Sequence, residues 1–203
     1  MMTALGKLLA GLVLLAVLAS CDHRAPEDTL LLDFESDAEL DSLSWTCRTL
    51  YSLSREHATH GSQALKMELC PSEAPGLTPH LAITDWSRFA ELSFDIYNPS
   101  QRQYRMGLRI DDRRDYPDFG DRYNKGFEIR PGSNHITVPL YSLVASGANR
   151  HLQLGHIARM FLFLPFPRER ATLYVDAVKL TRSAEQGRIL TPDHQTAEKG
   201  GGE

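Results

Sequence analysis

The sequence predicts an all-β fold in which two antiparallel sheets pack face to face as a sandwich. Short runs rich in branched and aromatic residues recur along the chain, and turn signals separate them: His60-Gly61, Pro75-Gly76, Asn98-Pro99 and Pro131-Gly132. Within several runs apolar and polar residues alternate, which gives a strand one buried and one exposed face. Many short strands between regular turns are typical of a β-sandwich or barrel.

The predicted strands form one domain, over about residues 29–182. In chain order they are Thr29–Phe34, Thr46–Leu53, Gln63–Leu69, Leu81–Thr84, Glu91–Tyr97, Tyr104–Asp111, Gly126–Arg130, His135–Pro139, Ile157–Leu164 and Thr172–Leu180. A single helical turn is expected, near Tyr141–Ser146. The last two strands are apolar on both faces over part of their length, so we expect them in the middle of a sheet.

Alternation assigns the faces of three successive strands that we expect to be neighbours in one sheet. Leu92, Phe94 and Ile96 on the first strand, and Met106 and Leu108 on the second, point into the core. The residues between them point outward and form a candidate binding surface: Ser93, Asp95, Arg105, Gly107, Arg109, Glu128 and Arg130. The alternative is a solvated sheet face with weak ion pairs.

The first twenty residues have the pattern of an export signal. Lys7 precedes the apolar run Leu8–Ala19, which is shorter than the roughly 20 residues that a membrane-spanning helix needs. The following Leu18-Ala19-Ser20-Cys21 resembles the bacterial lipobox. The resemblance implies cleavage before Cys21 and acylation of its thiol, which would attach the chain to a membrane. The alternative is an ordinary secretory signal with an incidental cysteine.

Residues 21–28 would then be a lipidated tether, and residues 183–203 have the composition of a disordered tail. Asp22 directly after the cysteine resembles an inner-membrane retention signal, so we expect a periplasm-facing inner-membrane anchor in preference to the outer membrane. Loss of the leader removes only Lys7 and changes the formal charge from -4 to -5. No basic stripe is present, so no nucleic-acid partner is predicted.

Two cysteines remain after Cys21, and an oxidising compartment would allow them to pair. If the second and third predicted strands form a hairpin centred near Ala58-Thr59, Cys47 and Cys70 face each other. We therefore predict a Cys47–Cys70 disulfide. The alternative is two buried free thiols.

Six stretches resemble, in order and spacing, the carbohydrate-binding modules of the galactose-binding-like jelly-roll group. They span nearly all of the predicted domain. The matching stretches are His57–Lys66, Asp85–Ser87, Leu92–Pro99, Asp121–Asn124, Pro131–Asn134 and Leu173–Leu180. The resemblance implies a jelly-roll sandwich, but a fold of this kind also serves partners that are not sugars.

The same resemblance implies a structural calcium ion where the first and last strands meet. The matching ligand positions are Asp33, Glu35, the backbone of Gly61 to Ser62, and Asp176. Calcium accepts mixed carboxylate and carbonyl ligands, and an Asp within an apolar strand needs a partner. The alternative is that Asp176 pairs with Lys66 or caps a backbone turn.

The loop from Asp111 to Asn124 is long for a connection between two strands, and long loops are often functional. Aromatic residues, acids and arginines are interleaved in it, and rings can stack on sugar faces while charged groups bond hydroxyls. Its candidate ligand-binding residues are Asp111, Asp121, Arg122, Tyr123 and Asn124. The alternative is a salt-bridged lid. The two tryptophans, Trp45 and Trp86, are expected to pack at the rim of the core.

The sequence contains no nucleophile elbow, zinc-protease motif or phosphate-binding glycine loop, so no enzyme is predicted. We expect a lipid-anchored, non-catalytic, carbohydrate-binding-like module of the bacterial cell envelope, with a glycan as its partner. The alternative is an envelope scaffold that uses the same sandwich to bind a protein. A small glycan hydrolase is a more distant alternative.

Overall fold

The computed structural model describes residues 28–46 and 48–182. The predicted leader, Cys21, the tether up to residue 27, Cys47 and the tail 183–203 lie outside the described residues. Among the described residues, no helix has the length and apolar character needed to cross a membrane.

Eleven strands and one short helix make up the described chain. The strands are β1 (Thr29–Leu32), β2 (Leu43–Ser44), β3 (Thr49–Ser54), β4 (Ala64–Leu69), β5 (Gly76–Pro79), β6 (Glu91–Asn98), β7 (Tyr104–Asp111), β8 (Tyr123–Ile129), β9 (Gly132–Pro139), β10 (Arg159–Phe163) and β11 (Ala171–Thr181). The helix α1 covers Asp37–Asp41, and single 3₁₀ turns cover Phe119–Asp121, Leu140–Ser142 and Leu154–His156.

The strands form two antiparallel sheets, which confirms the predicted β-sandwich. Sheet A has the order β3-β4-β11-β6-β9, and β1 also pairs with β11. Sheet B has the order β2-β5-β10-β7-β8. As predicted, β10 and β11 lie inside their sheets, each between two neighbours.

The core lies between the two sheets and is built from alternate residues of their strands. Its centre includes Leu92, Phe94 and Ile96 of β6 and Met106, Leu108 and Ile110 of β7, all buried. Each such side chain contributes roughly 1.5–3 kcal/mol when it leaves water. The inward faces predicted from alternation are therefore confirmed.

The predicted strand Leu81–Thr84 is wrong. The strand in this region, β5, ends at Pro79 and pairs with β2, which the sequence did not predict. Leu81 and Ile83 instead pack against the core from an irregular segment. Ile157 N–H donates to the Thr84 carbonyl at 2.8 Å, so this segment finds its backbone partner in another loop and not in a sheet.

The predicted disulfide is not formed in the structure. Cys70 has a free thiol, and Cys47 lies outside the described residues. The β3–β4 ladder pairs Thr49 with Leu69, and Cys70 N–H donates to the Arg48 carbonyl at 2.8 Å. Position 48, and not 47, therefore lies opposite Cys70. The predicted register was wrong by one residue, which is enough to turn a side chain to the other face of a strand.

The expectation that β6, β7 and β8 are neighbours is also wrong. β6 pairs with β9 and β11 in sheet A, whereas β7 pairs with β8 and β10 in sheet B. The Asn98-Pro99 connection therefore crosses from one sheet to the other. Asn98 is buried and fixes this crossing, because its side chain donates to the Arg102 carbonyl and accepts from Ser100 N–H.

Candidate functional site

The outer face of sheet B carries a continuous set of polar and aromatic side chains. In the strand pairing of this sheet, Arg109 of β7 lies between Asn124 of β8 and Phe161 of β10. Asp111 of β7 lies opposite Arg159 of β10. Alternate residues of three neighbouring strands therefore point away from the core together. We call this set the sheet B face: Arg105, Gly107, Arg109 and Asp111 of β7, Asn124, Gly126 and Glu128 of β8, and Arg159, Phe161 and Phe163 of β10.

Asp111 holds two arginines in place at one end of the sheet B face. Its side chain is fully buried (0 % exposed). Arg109 donates to it from Nε at 2.8 Å and from Nη2 at 2.7 Å, and Arg159 donates from Nη1 at 2.7 Å. Paired, charge-assisted hydrogen bonds of this kind fix geometry as well as contribute energy.

Two phenylalanines lie beside these arginines. The rings of Phe161 and Phe163 stack with centroids 4.7 Å apart and an interplanar angle of 19°. The Phe163 ring also covers Gly107, where a Cβ would lie 2.5 Å from the ring Cζ. The space above Gly107 is therefore filled by an aromatic ring.

The loop between β7 and β8 adds two exposed aromatic residues to this face. Tyr116 is 75 % exposed, and the guanidinium carbon of Arg159 lies 4.0 Å from its ring centroid. Phe119 is also exposed, and Arg122 lies 5.6 Å from its ring centroid. Arginine–aromatic contacts of this geometry are favourable. The contact with Arg159 of β10 holds Tyr116 against the sheet, whereas the contact between Phe119 and Arg122 lies within the loop.

The base of this loop is fixed by ion pairs. Asp112 is buried and accepts hydrogen bonds from Nη1 and Nη2 of Arg150 at 2.7 and 2.9 Å and from Gln153 N–H at 2.8 Å. Asp121 accepts from Arg150 Nε at 2.6 Å and from Arg113 at 2.9 Å. The hydrogen bond from Arg150 holds the pKa of Asp121 below its usual range. Asp121, predicted as a ligand-binding residue, thus holds the loop.

Two further residues that were predicted to bind a ligand, Asn124 and Tyr123, make contacts within the fold instead. Asn124 donates to the Phe119 and Arg122 carbonyls at 3.1 and 3.2 Å and to the Ser146 hydroxyl at 3.1 Å. Tyr123 points into the core and is only 5 % exposed, because it begins β8 on the inward side. Burial raises the pKa of Tyr123 to about 12.

The other end of the sheet B face carries Arg105 and Glu128, which lie opposite each other in the β7–β8 register. The Arg105 guanidinium lies against the bare Cα of Gly126. Glu128 accepts a hydrogen bond from the Gln103 side chain at 2.6 Å. Both charged groups are exposed, so this end of the face is open to a ligand.

Asp95 lies on the opposite side of the molecule, on the outer face of sheet A. It bonds His135 Nδ1 at 2.6 Å across the β6–β9 ladder. Both residues line a depression of about 230 Å³ whose other walls include His57, Tyr97 and Tyr174. The His57 ring stacks on Tyr97 with centroids 3.5 Å apart. The sequence therefore grouped Asp95 with the wrong strands.

The residues predicted to bind calcium do come together at the β3–β4 loop. Glu35 Oε1 accepts Ser62 N–H at 2.7 Å and Gln63 N–H at 2.8 Å, and these bonds hold the pKa of Glu35 below its usual range. Gly61 has a φ of +62° and lies against the Glu35 carboxylate, where a Cβ would collide with it. Glycine is the residue that fits both conditions.

Asp176 anchors the other half of the same loop. Its Oδ2 accepts Thr59 N–H at 2.6 Å and His60 N–H at 2.9 Å, and its Oδ1 accepts Ala177 N–H at 2.7 Å. A bulge in β11 after Asp176 aims the carboxylate at the loop. This is the turn-capping alternative that the sequence left open.

Backbone N–H groups thus bond carboxylate oxygens of both Glu35 and Asp176, two of the positions predicted to bind calcium. Asp33 lies 3.5 Å from His60, and the described residues contain no group of three or more His, Cys, Asp or Glu side chains arranged to hold a metal ion. Calcium remains a prediction: a melting temperature that rises with CaCl₂ and falls again with EGTA would support it, and an unchanged one would contradict it.

Several residues of the face were missed by sequence reasoning. Phe161 and Phe163 belong to a run that is apolar on both faces, which predicted burial, yet their side of β10 faces outward. Both tryptophans were expected at the rim of the core, but Trp45 is 82 % exposed and Trp86 is fully buried within the core. The sequence did contain a signal for this face: Phe161 and Phe163 follow Arg159 at every second residue, so all three side chains lie on the same side of the strand.

No protein-family model matches the sequence, and no curated protein matches it. Solved structures do match. A family 11 carbohydrate-binding module from Clostridium thermocellum, in complex with a β-1,3-1,4-mixed-linked tetrasaccharide, has a TM-score of 0.61 at 15% identity, with 78% of this chain and 98% of the module covered. The CBM22-1 xylan-binding domain from Paenibacillus barcinonensis Xyn10C has a TM-score of 0.51 at 14% identity, with 78% and 96% covered.

An exo-β-agarase also matches, with a TM-score of 0.62 at 18% identity. The match covers 76% of this chain but only 25% of the agarase chain, so the described domain spans about a quarter of that enzyme. The modules, and the matched quarter of the enzyme, share the architecture of this chain at low identity. The chain therefore has the jelly-roll β-sandwich fold of these carbohydrate-binding modules.

Proposed function

We propose that this chain is a non-catalytic glycan-binding module and that the sheet B face is its binding site. The observation that carries the proposal is the pairing of stacked aromatic rings, Phe161 and Phe163, with guanidinium groups fixed by the buried Asp111. Rings offer an apolar surface to the C–H face of a sugar, and fixed guanidinium donors suit its oxygens.

The matches to solved structures support a non-catalytic role. The neighbours whose own length is almost completely covered are described as carbohydrate-binding modules. The agarase is covered over only a quarter of its chain. The sheet B face is open, with aromatic and arginine side chains, and is unlike the deep cleft of a glycoside hydrolase.

A glycan array probed with the full chain in mild detergent tests this proposal. We expect binding by the wild type and about tenfold weaker binding by Phe161→Ala, equivalent to about 1.4 kcal/mol. Tyr116→Ala should also weaken binding. Tyr141→Ala is the matched control for Tyr116→Ala, since the two tyrosines are equally exposed but Tyr141 lies on the turn after β9 of sheet A. Absence of binding to any glycan, together with co-purification with one membrane protein complex, would instead favour the scaffold alternative.

We also propose that acylated Cys21 attaches this module to a bacterial membrane, facing the periplasm. The support is the coincidence of Lys7, the apolar run Leu8–Ala19 and the lipobox-like residues before Cys21. We expect radiolabelled palmitate to be incorporated into the wild type and not into Cys21→Ser. Cys70→Ser is the control and should label normally. Equal labelling of wild type and Cys21→Ser would contradict the anchor.

A further inference from the structure

The sheet B face has more positive charge than its own carboxylates balance. It carries Arg105, Arg109 and Arg159, and Arg122 lies at its edge, where β8 begins. The whole chain, in contrast, has a formal net charge of -4. The positive charge here is therefore a local feature and does not follow the overall composition.

One buried carboxylate serves two of these arginines. Asp111 accepts hydrogen bonds from both Arg109 and Arg159, and both guanidinium groups are themselves largely buried. Two positive charges against one negative charge leave this group with a net charge of +1. Because the surroundings are partly shielded from water, such an imbalance acts more strongly than on an open surface.

Arg122 adds a second unbalanced charge beside this group. Among residues 28–46 and 48–182 its guanidinium makes no hydrogen bond or ion pair, and its Nε is buried without a partner. Burial lowers the pKa of Arg122, and Arg109 and Arg159 act in the same direction, whereas Asp111 and Asp118 act against them. A cation that is partly removed from water without a partner is destabilising, so a bound anion would stabilise this site.

Arg105 supplies a second free guanidinium at the other end of the face. It forms no ion pair with the facing Glu128 in the part of the chain that the structure describes, and Glu128 is bonded to Gln103 instead. The glycine beneath it, Gly126, lets the flat guanidinium lie against the backbone. Phe161 and Phe163 lie on the strand beyond β7, within the same outward face.

We propose that the ligand of this face is an acidic glycan, whose carboxylate or sulfate groups bind Arg105 and Arg122 while its sugar rings pack on the phenylalanines. This inference rests on the proposed glycan-binding function and specifies its substrate class. Guanidinium groups bind planar anions through two parallel hydrogen bonds, which lysine cannot provide. Binding should weaken as ionic strength rises, because salt screens exposed charges.

Calorimetric titration of the full chain in mild detergent tests the charge requirement. Three oligosaccharides of similar length are compared: an oligogalacturonate, a sulfated galactan and a neutral β-1,3-1,4-mixed-linked glucan. We expect one or both acidic ligands to bind at least about tenfold more tightly than the neutral one. The better acidic ligand shows whether the face selects carboxylate or sulfate.

Charge-removing variants locate the site. Arg105→Gln and Arg122→Gln should each weaken binding of the acidic ligand by about tenfold, which is a larger loss than either causes for the neutral ligand. Arg55→Gln removes the same charge from the exposed β3–β4 loop of sheet A and should change nothing. A melting curve shows whether each variant is folded. If Arg122→Gln unfolds, Arg105→Gln alone carries the test.

Each remaining outcome is decisive. Binding of the neutral ligand alone overturns the acidic-glycan proposal and leaves the glycan-binding function in place. Binding of none of the three, nor of any glycan on the array, overturns both. Acidic binding that is equal in all three variants places the ligand elsewhere. Equal binding of poly-glutamate shows attraction to any polyanion and also overturns the proposal.

Discussion

Asp111 is the residue on which the geometry of the sheet B face depends. Its buried carboxylate is shared by Arg109 and Arg159, and Arg122 lies in the same electrostatic environment. Removal of one partner from a buried ion pair leaves an uncompensated charge behind, which costs more than the loss of an exposed pair. The three guanidinium groups would then repel one another.

We therefore expect Asp111→Asn to lower the free energy of unfolding by about 3 kcal/mol. Urea unfolding followed by tryptophan fluorescence measures this. Asp115→Asn is the matched control: Asp115 pairs with Arg113 at 2.8 Å but is 62 % exposed, so a change below about 1 kcal/mol is expected. A loss below about 1 kcal/mol for Asp111→Asn as well would contradict the role of the buried carboxylate.

Gly107 determines the position of the Phe163 ring. A Cβ at this position would lie 2.5 Å from the ring, so Gly107→Ala must displace Phe163 from its stack on Phe161. We expect a loss of about 1–3 kcal/mol of stability, typical of overpacking, and weaker glycan binding. Gly155→Ala, where a Cβ would meet no atom within 4 Å, is the control. Unchanged glycan binding by Gly107→Ala would show that the Phe163 ring does not contribute to the binding site.

At the scale of elements, the β7–β8 loop is held by charge and therefore responds to pH. Burial alone would raise the pKa of Asp112, but Arg150 and Gln153 N–H outweigh it, and the net pKa lies below its ordinary value. A carboxylate with a lower pKa in the folded chain adds stability above its unfolded pKa and loses it as the pH falls. Asp112 therefore stabilises the fold at neutral pH and not in acid.

We expect the free energy of unfolding to fall below about pH 4, and Arg150→Gln to make this fall shallower. Urea unfolding across a pH series measures both slopes. Arg170→Gln, which breaks an exposed pair with Glu68, should keep the wild-type slope. Burial and Glu39 raise the pKa of Asp33, so this residue adds stability as the pH falls. Asp33 is present in the wild type and in both variants, so it does not affect the comparison of their slopes. Parallel slopes would contradict the role of Arg150.

At the scale of the whole molecule, the sequence predicted what leaves a periodic pattern. The inward residues of β6 and β7 follow from alternation because one face of each strand is buried. Which strands lie side by side leaves no such pattern, so the crossing at Asn98-Pro99 was missed and Asp95 was misplaced. The Cys47–Cys70 pairing failed for a related reason: the exact residue of a turn sets the register.

The candidate site was predicted in part. Arg105, Arg109 and Glu128 do point outward on neighbouring strands, as alternation indicated. Tyr123 was misassigned because its membership of β8 was not foreseen, and that membership turns it inward. Asp121 and Asn124 were predicted to bind a ligand. Only the structure shows that Asp121 is bonded to Arg150 and that Asn124 is bonded to loop carbonyls. Hydrogen-bond partners that are distant in the sequence cannot be predicted from the local pattern of residues.

The central place of β11 determines when this molecule can fold. This strand is the last one described, yet it joins β4 to β6 and also pairs with β1. A nascent chain that ends before Ala171 would keep two unpaired strand edges in the middle of a sheet, and such edges recruit other chains. We expect a chain truncated after Arg170 to aggregate in sedimentation assays, while truncation after Arg182 leaves a monodisperse product. The sandwich therefore cannot be completed until β11 has been synthesised.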